Sequence, residues 1–252
     1  MNKRYLGDVR DLFKYDLIQR ILEGIKSLQG FTFIPMLTEY DPESKGGNKR
    51  DFNKAKEDGR PGTKNEKLIE SLKSYKDIEG DKRNFTEIKK HFQSCGFKVL
   101  IYKERGNKYF TNNKRMRDEY FEHIPVGLLH KSLVFVDPDI GLQIKNSTEK
   151  HLLYSKVKFL YDHMDEDSLL MIYQQFPQAR HTHRKYLPAG RLIALEKQIG
   201  DSPFYISDKE IFFLFLTKRD ELESQLKGIA DRYKRDYANR IEVGPIKSVA
   251  RR

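Results

Sequence analysis

Apolar residues recur at helical spacing near the N-terminal end of the chain. Val9, Leu12, Phe13, Leu17, Ile18, Ile21, Leu22 and Ile25 predict a helix over 7–28, ended by Gly30. The run Phe31–Leu37, FTFIPML, reads as a buried strand. Pro35 is an awkward member of it, because proline cannot donate to a sheet ladder. Residues 38–65 are polar and carry Asp41-Pro42, Gly46-Gly47 and Arg60-Pro61-Gly62, the composition of a long loop. Helices are expected over 64–76 and 84–94, and a strand over Lys98–Lys103.

The second half alternates more regularly. Ser132–Val136 predicts a strand that ends in Asp137-Pro138-Asp139, and a helix follows over 149–164. Ser168–Gln174 is the next strand and runs into Phe176-Pro177. A helix over 185–199, the strand Ile211–Thr217 and a charged helix over 219–238 complete the pattern. Strands alternating with helices predict an α/β fold, a three-layer sandwich whose mostly parallel central sheet of about five strands is flanked by helices. The chain reads as a single domain over 1–252. It carries a polar and helical insertion at about 38–95 and a basic C-terminal helix and tail at about 219–252.

Charge narrows the class of partner. The 252 residues contain 48 Lys+Arg against 37 Asp+Glu, a formal net charge of +11. A solvated lysine-rich surface would spread that charge evenly, but here it is clustered. Residues 168–195 contain no acid, while Arg180, His181, His183, Arg184, Lys185 and Arg191 all fall there. From Lys227 to Arg252 the chain carries eight Lys/Arg and three Asp/Glu. Clustered cations are what tracking phosphates requires, so DNA is the expected partner. The single cysteine, Cys95, leaves no intramolecular disulfide. The longest apolar run, Ile211–Leu216, is strand-sized. A cytoplasmic protein without membrane contact is expected; a monomer fits the sequence, which leaves the oligomeric state open.

In open α/β sheets ligands bind beyond the carboxyl ends of the strands. That rule brings three loops together: Thr38 to Asp41, Asp137 to Gly141, and Gln174 to Lys185. Two carboxylates beside a proline can position water or stabilise a developing cation, so Asp137 and Asp139 are the candidate catalytic residues. The same tripeptide also suits a plain turn that caps backbone N–H groups. Tyr40, Tyr173, Phe176 and Gln174 are candidates for holding a base. Arg180, His181, His183, Arg184 and Lys185, with Arg105, Lys108 and Arg115 from the basic and aromatic stretch 105–120, are candidates for nucleic-acid contact. A solvated amphipathic segment accounts for 105–120 equally well. Asp11 and Lys14 pair on one face of the first helix, which reads as a surface ion-pair network. No metal site is expected, since His181 and His183 lack an accompanying ligand set.

Two resemblances follow from these motifs. Val134–Val136 before Asp137-Pro138, and Leu169–Tyr173 before Gln174-Gln175-Phe176-Pro177 and the basic His181–Lys185, resemble the uracil-DNA glycosylase superfamily, although its usual Tyr and His are substituted. Leu133–Val136 leading into Asp137-Pro138-Asp139 also resembles the ribosomal RNA adenine N6-methyltransferases, whose motif is Asp-Pro-Pro-Tyr after a strand. That motif's aromatic is missing here, and Thr38-Glu39-Tyr40-Asp41 lacks the glycines of a cofactor loop. The first resemblance implies an enzyme that flips a modified base out of DNA and excises it without a cofactor, leaving an abasic site, with phage defence as a fitting context. The second implies methyl transfer from S-adenosylmethionine. A nuclease or a non-catalytic DNA-binding module remain further alternatives.

Overall fold

The computed structural model describes residues 3–38, 49–80, 82–102, 113–176, 189–208, 210–238 and 240–245. Helix α1 (Arg10–Gly24) precedes strand β1 (Gly30–Pro35). Helices α2 (Phe52–Glu57), α3 (Glu66–Lys73) and α4 (Thr86–Ser94) lead to β2 (Lys98–Ile101). Helix α5 (Lys114–Glu122) comes before β3 (Ser132–Asp137), which is followed by the short strands β4 (Gly141–Leu142) and β5 (His151–Leu152). Then come α6 (Tyr154–His163), β6 (Leu169–Gln175), α7 (Ala189–Ile199), β7 (Phe204–Ser207), β8 (Ile211–Leu216), α8 (Asp220–Asp236) and β9 (Glu242–Pro245). Asparagine side chains start two of the helices. Asn65 accepts from Leu68 N at 3.1 Å and Asn113 from Met116 N at 2.9 Å, each satisfying a free first-turn donor.

The main sheet has seven strands in the order β2-β1-β3-β6-β8-β7-β9. The pairs β1–β2, β1–β3 and β3–β6 are parallel, whereas β6–β8, β7–β8 and β7–β9 are antiparallel. The expected sheet of about five mostly parallel strands is therefore corrected to a larger, mixed one. Two strands escaped the sequence pattern for physical reasons. Phe204–Ser207 is only four residues long, and Glu-Val-Gly-Pro at 242–245 carries a glycine and a proline that an edge strand tolerates and a central one does not. Pro35 closes β1 opposite Asp137, beyond the last β1–β2 pair, Phe33 with Ile101. The helix expected from 149 starts only at Tyr154, because His151 and Leu152 pair with Gly141 and Leu142 in a separate parallel ribbon.

Side-chain alternation along the central strands divides the core in two. Phe31, Phe33, Leu133, Phe135, Leu169, Met171 and Phe213 face α1, α3, α4 and α8. Ile34, Val134, Val136, Leu170, Ile172, Phe212 and Leu214 face α5, α6 and α7. Helices thus cover both faces, as the α/β reading requires. Among the described residues no helix is long and apolar enough to cross a membrane.

Candidate functional site

From β1 the chain passes to β2 on one side, and from β3 it passes to β6 on the other. The strand order therefore reverses between β1 and β3, and the loops leaving their carboxyl ends run on side by side at first, with Met36 N donating to Asp137 O at 3.2 Å. Such a reversal opens a crevice in doubly wound sheets. The described residues at this point are Pro35, Met36, Leu37 and Thr38 after β1 and Asp137 and Pro138 at the end of β3, all buried, with Asp139 half-buried above them.

The pleat decides where the polar groups go. Phe135 and Asp137 lie two apart on β3, hence on the α1 face, and Tyr173 of β6 joins them. Lys14 of α1 descends onto this group. Its Nζ lies 2.7 Å from Asp137 Oδ2 and 3.0 Å from Asp11 Oδ1. It also stands 5.2 Å from the ring centroid of Tyr173, 5.5 Å from Tyr15 and 5.9 Å from Phe135. Asp137 is 2% exposed, and Asp11 and Lys14 are also buried. Burial works against the ammonium charge, but Asp11 and Asp137 outweigh it and hold the Lys14 pKa well above its ordinary value. Lys14 is thus a fixed cation clamped by carboxylates and ring faces, not a nucleophilic amine.

The turn before α1 supplies a third carboxylate. Asp11 Oδ2 accepts from Gly7 N at 2.9 Å, and Asp8 Oδ1 accepts from Arg10 N at 2.8 Å. Asp8 is buried, and burial together with the charge of Asp11 pushes its pKa up to about 7. Burial raises the Tyr15 and Tyr173 phenols as well, so both stay protonated. The Tyr15 hydroxyl has no hydrogen-bond partner among the described residues.

Asp139 stands apart from this cluster. It is half-buried at the crevice mouth, where its Oδ2 accepts from Thr38 Oγ1 at 3.2 Å and lies 3.9 Å from Lys150 Nζ. The two candidate carboxylates thus have separate roles: Asp137 is ion-paired inside, and Asp139 is the one with access to solvent.

The residues proposed to hold a base are placed differently from the expectation. Gln174 is 0% exposed and lies on the opposite face of β6 from Tyr173. Its Oε1 accepts from Leu142 N at 2.6 Å and its Nε2 donates to Gln175 O at 2.6 Å, so the amide pins the β4–β5 ribbon instead of reading a base. The Tyr173 ring is buried over Lys14. Phe176 is half-buried against Phe212, with ring centroids 5.1 Å apart. Arg115 is exposed on α5 and pairs with Glu119 at 2.7 Å. Tyr40, Arg105, Lys108, Arg180, His181, His183, Arg184 and Lys185 lie outside the described residues.

The surface ion-pair reading of Asp11 and Lys14 is corrected to a buried one. The signal was in the sequence. Apolar residues of α1 occupy most of its circumference, so the charged residues among them could not all face water. Asp8 carried no such signal.

No protein-family model matches the chain, and no curated protein shows significant sequence similarity to it.

Proposed function

We propose that the protein methylates an exocyclic amino group of a nucleic-acid base, with S-adenosylmethionine held in the crevice between the carboxyl ends of β1 and β3. The observation that carries this reading is the reversal of strand order between β1 and β3, beyond which Asp139 stands half-buried above the Lys14–Asp137 ion pair. At that strand end Asp139 is half-buried and Thr38 donates to it, so polar groups stand where an adenosine-bearing ligand would approach, above the buried Met36 and Leu37. The glycine-free stretch Thr38-Glu39-Tyr40-Asp41 means that side chains would line the approach at that point.

S-adenosylmethionine supplies an electrophilic methyl group. When bound, it would give its methyl carbon to the amino nitrogen of the base with loss of its carbon–sulfur bond, and that nitrogen would release one proton. Asp139, the carboxylate with access to solvent, is suited to accept the amino N–H and orient the nitrogen lone pair. Lys14 holds Asp137 in a buried ion pair behind this position, and Asp139 would take the departing proton. The basic stretch 168–195 supports nucleic acid as the carrier of the base.

Base excision is the second reading, and Asp139 favours it. A half-buried carboxylate at the crevice mouth, held by Thr38 and beside Lys150, can position a water against a sugar. One experiment separates the two readings. Purified protein is incubated with tritiated S-adenosylmethionine and total RNA or DNA, the nucleosides are analysed by mass spectrometry, and a parallel sample is treated with hot alkali. A labelled methylated nucleoside that vanishes with Asp139→Asn supports methyl transfer. Alkali-dependent strand breaks without label, lost with Asp139→Asn, would replace it with excision.

A further inference from the structure

Helices α1 and α8 run antiparallel over one face of the sheet. Phe13, early in α1, stacks on Tyr233, late in α8, with ring centroids 5.9 Å apart, whereas Gly24 at the end of α1 meets Ile229. The approach there is so close that a Cβ on Gly24 would stand 2.6 Å from Ile229 Cδ1. Around this contact the two helices border a groove of about 450 Å³ with the buried Tyr233 at its floor. The direction of α8 follows from the sheet. Leu216, at the end of β8, pairs with Leu170 near the start of β6, so α8 climbs back toward the carboxyl ends of the parallel strands. The groove therefore runs along the flank toward the end where Lys14 meets Asp137, and Lys14 is about 9 Å along α1 from Arg20.

Three arginines line this groove: Arg20 from α1, and Arg232 and Arg235 from α8. Arg232 lays its guanidinium across the helix contact, with Nη2 3.7 Å from where a Cβ on Gly24 would stand and Nη1 3.8 Å from the same position on Gly228. Neither Arg232 nor Arg235 makes a hydrogen bond or ion pair with a described residue. Arg20 lies 3.9 Å from Asp16 and 3.7 Å from Asp236, and hydrogen-bonds to neither. The acids at the groove are engaged elsewhere. Glu23 accepts from Gln19 at 2.8 Å, the buried Asp16 accepts from Asn65 at 2.9 Å, and Asp236 is shared with Lys64 at 3.9 Å. The helix dipole favours cations in a last turn, which accounts for the presence of Lys234 and Arg235 there. It does not account for Arg232 reaching over to α1 with every donor unspent.

We propose that the α1–α8 groove is the docking surface for the phosphodiester backbone of a nucleic acid, gripped by Arg232 and Arg235 with Arg20 on the facing wall. A guanidinium presents a planar fork that pairs with two phosphate oxygens at once. A concave surface lined by such groups concentrates their field on an anionic chain. The long, exposed contacts of Arg20 contribute little to folding, so a phosphate can take them over. Length favours a chain over a single anion. Asp236 also borders a second hollow of about 650 Å³, which carries Lys64, Tyr237 and Arg240, so the surface continues beyond the first groove. The choice of nucleic acid as the anionic chain rests on the reading given above. The placement of the arginines does not.

The test measures binding of a fluorescent single-stranded oligonucleotide, as RNA and as DNA, by anisotropy against salt. Arg232→Gln should weaken binding about fivefold at low salt and lower the slope of log affinity against log salt by about one contact. Arg232→Gln combined with Arg235→Gln should lower it by about two. Both side chains are exposed, so these variants should melt with the wild type. Arg232→Lys keeps the charge and should keep most of the slope. Lys234→Gln removes an equal charge from the same turn outside the groove and should change the slope little. Equal effects of Arg232→Gln and Lys234→Gln would reduce the surface to general charge and overturn the proposal. Absence of binding to either oligonucleotide at low salt would overturn it as well. So would a rise in melting temperature with inorganic phosphate that the double variant loses while its oligonucleotide slope stays unchanged, which would mark a site for a free anion. Methyl transfer to the same oligonucleotides separates this proposal from the reaction. The expected slope losses without methyl transfer would overturn the reaction and leave the groove standing. Methyl transfer with a slope that the double variant does not move would do the reverse.

Discussion

Lys14 Nζ lies 2.7 Å from Asp137 Oδ2, an ion pair closed across 123 residues of chain and buried on both sides. It joins the helix that precedes β1 to the tip of β3, so the end of β3 and the first turns of α1 are one electrostatic unit. Removing one member of a buried pair leaves an uncompensated charge, which costs more than the pair itself contributes. Lys14→Met should therefore destabilise the protein by about 3–5 kcal/mol. Adding Asp137→Asn should recover part of that loss, giving a coupling above about 1 kcal/mol in a double-mutant cycle followed by urea unfolding. Strictly additive losses would show that the two side chains do not share their stabilisation.

Asp8 should give the protein a signature in pH. Folded Asp8 holds its proton up to about pH 7, against 3.8 for the ordinary carboxyl. Its folded pKa is raised, so the stability it contributes is complete below the lower value and is lost as pH rises through the upper one. Asp8→Asn keeps an oxygen for the Arg10 N–H and removes the titration. Between about pH 5 and pH 8 the melting temperature of wild type relative to Asp8→Asn should fall by the equivalent of a few kcal/mol. A constant difference across that range would contradict the burial of an ionisable Asp8.

Gly141 starts the ribbon with a φ of +117°, a region that side chains rarely adopt, and a Cβ there would stand 2.4 Å from the Gln174 carboxamide. That amide cannot swing away without releasing both of its 2.6 Å hydrogen bonds. Gly141→Ala should cost about 2–3 kcal/mol from crowding and backbone strain together. Gln174→Ala should cost about 1–3 kcal/mol by leaving the Leu142 N–H unpaired. The double variant should lose less than the sum, because the crowding disappears with the amide. Chemical denaturation of the three variants checks this, and full additivity would rule out the clash.

Nucleic-acid affinity should fall steeply with salt. The acid-free stretch 168–195 concentrates Arg180, Arg184 and Lys185 in a short span. Replacing all three with Gln should lower the slope of log affinity against log salt by up to about three contacts. Fluorescence anisotropy at several salt concentrations measures that slope, and an unchanged slope would place the grip elsewhere on the molecule.

Much of the architecture was legible in the order of residues alone. The helical repeat from Val9 to Ile25, the apolar runs FTFIPML, SLVFV and IFFLFL, and the helical stretches between them already required a helix-flanked sheet. The periods of helix and strand differ, and each buries its own spacing. Asp137-Pro138-Asp139 was legible too as a strand-end carboxylate pair, because loops at carboxyl ends collect ligands whatever the sequence around them. Tertiary structure alone decided which of these carboxylates is neutralised and which has access to solvent. Residues 137 and 139 have similar local sequence. The pleat turns Asp137 toward α1, and packing of α1 brings Lys14 down onto it. The same alternation sends Tyr173 to the lysine and Gln174 to the ribbon, so neighbouring positions that looked alike as base-holding candidates serve two different faces. The strand order, with β8 reversed beside β6, was likewise beyond local pattern. Periodicity reports whether a segment buries one face or two, whereas the partner beside it is set by long-range packing that no window of sequence contains.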